Sequence, residues 1–221
     1  MRRIRFVKRA SERKLSTDLN PTNAATHMFY VHLLSNTGRH AEGLVEIKRA
    51  RDLDPLNLRT SALEGEFLIH AGQTDEAIAK LQKTLELDPN YWFAHMFSAS
   101  AYIEKGMFTE AVAEARKARG HAGGSTHPMS FLGYALAMSG KQEEARGVLD
   151  EMLKMSDERY VPPYHIALVY NGLDERDKTL AWLERSYEQR DPKMVFLKVE
   201  PKWNNLRSDS RFQDLVRRIG F

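Results

Sequence analysis

The chain has 221 residues, 42% hydrophobic and 29% charged, with a formal net charge of +3; that balance excludes a disordered chain, and the length suffices to bury a sizeable core. It has no cysteine, which rules out disulfides, thiolate metal sites and a cysteine nucleophile, and which fits a cytoplasmic location. No run approaches about 18 uninterrupted apolar residues, so no membrane insertion is expected.

In chain order, residues 1–23 read as a basic N-terminal segment and the remnant of a preceding repeat. Arg2, Arg3, Arg5, Lys8, Arg9, Arg13 and Lys14 face only Glu12. A basic tail can attract nucleic acid, but no aromatic platform or groove-reading motif accompanies this one, so a solvated terminus is the favoured reading. The stretch from Leu15 to Pro21 resembles the end of a repeat, although Arg9 and Arg13 stand where such a repeat wants small or apolar residues.

Residues 24–193 carry the decisive pattern. Gly38, Gly72, Gly106 and Gly140 are spaced by 34 residues, and four positions after each comes Glu42, Glu76, Glu110 or Glu144. Next lie the small residues Gly43, Ala77, Ala111 and Ala145, with Thr179 in a fifth copy, while Pro21, Pro55 and Pro89 keep the same period. Glycine at that spacing supplies the left-handed conformation that ends a helix, and proline stops one helical pair and opens the next. The pattern predicts five helical hairpins beginning at Ala24, Leu58, Trp92, Thr126 and Tyr160. Small residues at Gly65, Ala99, Gly133 and Ala167 on the first helices are expected to face the small residues of the second helices and allow close approach. Glu64, at an otherwise apolar position, needs a basic neighbour or a path to solvent. Asp174 stands at the fifth glycine position.

Residues 194–221 read as a C-terminal capping segment, because the last hairpin of a stacked array exposes an apolar face. Phe212, Leu215, Val216 and Ile219 recur at helical spacing after a cap at Asp209 or Ser210, and Trp203 and Leu206 add to the cover.

This register resembles the tetratricopeptide-repeat family. The resemblance implies an all-α fold, a right-handed superhelical solenoid whose first helices line a concave groove. Departures are local: His27 and Ser61 replace a frequent tryptophan, and Gly123 and Asp157 replace the closing proline. The segments Tyr164-His165-Ile166-Ala167, Trp182-Leu183-Glu184, Arg190-Asp191-Pro192, Phe196-Leu197-Lys198-Val199 and Leu206-Arg207-Ser208-Asp209 are also similar to a C-terminal signature of bacterial multidomain signalling proteins. In those, repeats follow a winged-helix, serine/threonine kinase or nucleotide cyclase domain. The resemblance implies a truncated or excised relative, or a free-standing descendant.

Chemistry is sparse. There is no phosphate loop or dinucleotide glycine pattern, no His-Glu-x-x-His motif, and Glu64 and Glu66 point to different sides of one helix. No cofactor, metal or catalytic residue is expected. The expected function is a non-catalytic protein- or peptide-binding scaffold, a partner-sensing module of a bacterial signalling or transcription-regulatory system, with self-association left open. The weaker alternatives are a nucleic-acid-associated regulator using the basic start with Arg207, Arg211, Arg217 and Arg218, and an enzyme with a site between hairpins. By register, the concave face is assigned to Met28 and His32; Arg59, Ala62 and Glu66; Phe93, Met96 and Ser100; His127, Ser130 and Tyr134; and Tyr164. Met96, Tyr134 and Tyr164 suit adaptable contact with an apolar partner. Phe29, Phe97 and Phe131 are balanced between that role and packing between hairpins.

Overall fold

Glycine positions set the fold of the computed structural model, which describes residues 18–220; the basic run of the first 14 residues lies outside them. Ten helices form five antiparallel pairs: α1 (Ala24–Asn36) with α2 (His40–Leu53), α3 (Leu58–His70) with α4 (Thr74–Leu87), α5 (Trp92–Glu104) with α6 (Phe108–His121), α7 (Thr126–Met138) with α8 (Gln142–Glu158), and α9 (Pro163–Gly172) with α10 (Arg176–Glu188). Gly38, Gly72, Gly106 and Gly140 all have positive φ, between +71° and +83°. Each closes its first helix with the paired backbone bonds of a left-handed cap, as in Gly106 N–H to Ile103 O and Met107 N–H to Tyr102 O, both 2.9 Å. Asp174 takes the same conformation at φ +57° without being glycine.

Four hairpins start at the residues the register names. The fifth starts three residues later, at Pro163 instead of Tyr160. Helix α8 runs on to Glu158, and the Pro162-Pro163 pair then forces extended backbone before α9 can begin.

Successive first helices α1, α3, α5, α7 and α9 touch one another and form an inner layer, with the second helices outside it. At Gly65 and Gly133 the nearest neighbours are bulky. A Cβ on Gly65 would come within 2.6 Å of Leu81, and one on Gly133 within 2.8 Å of Val169. These glycines are therefore sockets for large side chains of the neighbouring helix, which is how the layers reach interior packing density. Glu64 on α3 finds its partners on both flanking outer helices, Arg51 at 2.6 Å and Lys80 at 3.3 Å. His27 and His95, one in each alternate hairpin, link their own second helix through Glu46 (2.6 Å) and Glu114 (2.5 Å) and the preceding loop through the carbonyls of Pro21 and Pro89. Both histidines thereby tie the first helix to the second helix and to the loop before it.

After α10 the chain makes two 3₁₀ helices, Pro192–Phe196 and Pro201–Leu206, and ends in α11 (Ser210–Ile219). Asp209 is the N-cap of α11, accepting from the Arg211 N–H at 2.9 Å. Phe212 and Leu215 are buried, and α11 lies along α10 beside Leu180 and Ala181.

Candidate functional site

The groove lined by the first helices is filled by the chain's own C-terminal segment. Residues 191–207 leave the fifth hairpin, cross the inner layer to the first, and return. The outward leg is fixed by Asp191, whose carboxylate accepts from Ser186 Oγ (3.1 Å), the Lys193 N–H (2.9 Å) and the Tyr164 N–H (3.4 Å). Lys193 Nζ lies 3.4 Å from His127 Nε2 on α7, and Phe196 reaches the rings of His32 on α1 and His70 on α3.

The return leg carries the most buried charge. Glu200 lies 3.7 Å from His70 and 2.7 Å from Lys202. The Lys202 side chain is 0% exposed. It donates to Ser100 Oγ on α5 at 2.6 Å and stands 4.6 Å over the Phe131 ring of α7. Trp203 follows, donating its indole N–H to Tyr164 Oη at 2.8 Å, and the Lys202 carbonyl accepts from Asn171 Nδ2 at 2.6 Å.

Burial would raise the Glu200 carboxyl, but Lys202 and His70 hold it well below the usual carboxylate range. Glu66, buried on α3, is raised by desolvation against the pull of His70 and Lys193. Glu104 at the end of α5 is raised by desolvation, opposed by Lys202. Desolvation also lowers Lys193, lowers His127 well below its usual value with Lys193 adding to the effect, and takes His165 to about 3. The His127 and His165 rings stack at 5.0 Å, and His165 Nδ1 lies 2.9 Å from Thr126 Oγ1.

The residues assigned by register fall into two groups. Ala62, Glu66, Met96, Ser100, Ser130, Tyr134 and Tyr164 are buried in the inner layer; of these, Ser100 and Tyr164 touch the tail directly, and so do His32 and His127. Met28 and Phe93 are partly exposed and Arg59 is exposed. Met28, His32 and Arg59 border an open cavity of about 280 Å³ at the mouth between α1 and α3. Of the three phenylalanines, Phe97 and Phe131 are buried and Phe29 is exposed. The register did not reveal Lys193, Phe196, Glu200 and Lys202 as groove residues, since nothing in composition separates a buried lysine from a solvated one. The only signal was the resemblance of the surrounding segment.

Among the described residues, no group of three or more His, Asp or Glu side chains is placed to hold a metal. Three of the four C-terminal arginines are engaged by acids, Arg211 with Asp177 and Asp209, Arg217 with Asp214, and Arg218 with Glu184 and Asp214, while Arg207 donates to Asn204 Oδ1 and the Lys198 carbonyl. No described helix is long and apolar enough to cross a membrane.

The tetratricopeptide repeat family model matches residues 68–122, which contain α4, α5 and α6. The five hairpins have the tetratricopeptide-repeat fold. Solved structures extend the likeness over the whole array. A thermophilic tetratricopeptide-repeat protein of Thermus thermophilus is 18% identical with a TM-score of 0.62, over 88% of this chain and 99% of its own. PilW, a widely conserved type IV pilus biogenesis factor, is 12% identical at TM-score 0.62, over 96% and 90%. A tetratricopeptide repeat protein from Parabacteroides merdae ATCC 43184 is 14% identical at 0.59, over 98% and 87%. At such identities the tetratricopeptide-repeat likeness is one of fold. Among curated proteins none matches the chain significantly.

Proposed function

We propose that this protein is a non-catalytic scaffold that binds a protein or peptide in the concave face of its repeats and serves as the partner-sensing module of a bacterial signalling or regulatory system. One observation carries the binding reading: the inner layer already holds a polypeptide segment, residues 191–207, through side-chain-specific contacts to α1, α3, α5, α7 and α9. A face that reads aromatic, cationic and amide groups of one segment has the chemistry to read those of another. The signalling context rests on the resemblance of the C-terminal signature. Arg211, Arg217 and Arg218 each stand beside an acid rather than forming an unopposed basic patch, which favours this reading over nucleic-acid binding.

The test uses the full chain as bait in its source cell, followed by titration of the purified partner against wild type, Met28→Ala and Arg59→Ala at the open mouth, and Lys117→Ala on the outer layer. Loss of at least tenfold in affinity for the mouth variants, with the outer variant unchanged, supports the concave reading. Equal affinities for all four proteins, or conversion of the captured molecule into a product, overturn it.

A further inference from the structure

The inference rests on the scaffold reading and specifies what the groove recognises. We propose that the groove is a receptor for a peptide segment bearing an aromatic residue followed by a lysine-aromatic pair, and that residues 191–207 occupy it as a tethered competitor that such a partner displaces.

Charge complementarity supplies the partner's chemistry. Without the tail, the inner layer presents the Ser100 hydroxyl and the Phe131 ring where the ammonium lies, with Glu66 buried on α3 and Glu104 lining the seam beside Pro201. The segment delivers to this wall a lysine whose ammonium is completely enclosed, and it brings Glu200 with it as a counter-charge. Beside the lysine, Trp203 is fully buried and its indole is matched by Tyr164 Oη. Phe196 fits against two imidazole rings at the opposite end. A hydroxyl and an aromatic face meeting one enclosed ammonium make a lysine-selective pocket, with the ion-pair partner Glu200 supplied by the segment itself.

The fit between tail and repeats is specific without being closed. A cleft of about 420 Å³ runs along the seam between Lys198, Pro201 and Arg207 of the tail and His40, His70 and Glu104 of the repeats. His40 Nδ1 is buried without a hydrogen-bond partner among the described residues. The segment is built of short 3₁₀ turns rather than a helix. Its buried ion pair contributes specificity more than stability, because desolvation offsets much of the attraction. A tethered segment also acts at an effective concentration on the order of millimolar, which masks the groove from weaker ligands in solution.

The probe is a fluorescent 17-residue peptide with the sequence of residues 191–207, titrated into the full-length protein. It is expected to bind Lys202→Gln protein at least tenfold more tightly than wild type, and to lose that gain when the peptide itself carries Lys202→Gln. In wild type, saturating peptide is expected to raise amide exchange of residues 191–207 at least tenfold while α3, α5 and α7 stay protected, a readout that decides the matter if the variant fails to fold. Unchanged exchange in wild type overturns the proposal, as does equal binding of the two peptides to a folded variant. A natural partner that binds wild type and Lys202→Gln with the same affinity would overturn the competitor while leaving the scaffold in place.

Discussion

Asp174 shows most directly how one residue can stand apart from its repeat. Its four counterparts are glycines with the same left-handed backbone, a conformation that is strained for a residue with a Cβ. Asp174→Gly should therefore stabilise the protein by about 1 kcal/mol, and Gly106→Ala should destabilise it by about the same amount, both measured by urea unfolding. The sequence alone made this position legible, because the 34-residue period marks it. The period did not show what the small residues on the first helices face. Gly65→Ala pushes a methyl into Leu81 and is expected to cost about 1–3 kcal/mol. His165 contributes to the pH dependence. Its folded pKa of about 3 lies below the ordinary 6.5, so the stability it contributes is present above pH 6.5 and is lost as pH falls toward 3. The loss reaches about 1.4 kcal/mol per pH unit. Glu66, raised by burial, acts in the opposite sense once it protonates. Unfolding series from pH 7 to 4 should show a shallower slope for His165→Gln than for wild type.

Helices were legible at their starts and ends wherever glycine or proline punctuates the chain, and less so where α8 overruns into the Pro162-Pro163 pair. The elements after α10 were the least legible. Apolar spacing in Phe212 and Leu215 disclosed α11, but the two 3₁₀ helices have no periodicity, and their course is set by Asp191 and Glu200 at their N-termini. Asp191 is the element-scale hinge of the segment. Asp191→Ala removes one acceptor from three donors, Ser186 Oγ and the Lys193 and Tyr164 N–H groups, at an expected cost of about 2 kcal/mol or more. Hydrogen exchange should show the effect concentrated in residues 192–206, with α1 to α6 near normal.

At the scale of the whole molecule, α11 and the groove segment make different claims on stability. Helix α11 packs on α10 and bonds the end of the tail through Gln213 and the Arg207 carbonyl, whereas residues 191–207 touch all five first helices. A chain ending at residue 208 should lose the contribution of Phe212 and Leu215 and little else. A chain ending at residue 190 should in addition expose Tyr164 and Phe131 and leave Glu66 without its lysine neighbours. Thermal melting with light scattering should thus show a clearly larger loss of Tm and solubility for the shorter chain; similar losses would place the tail's contribution in α11 only.

The bond from Lys202 to Ser100 spans 102 residues of sequence, and Phe196 reaches still further back, to His32. Repeat arrays ordinarily unzip from their ends, since each unit knows only its neighbours. Here the two extremities are clasped, so fraying at either end breaks contacts at the other and unfolding becomes closer to all-or-none. The clasp also lends the molecule a slow, non-local step: the first hairpins leave the ribosome long before the segment that completes their inner surface has been synthesised. During that interval the nascent groove is bare, and the first segment to enter it need not be the chain's own.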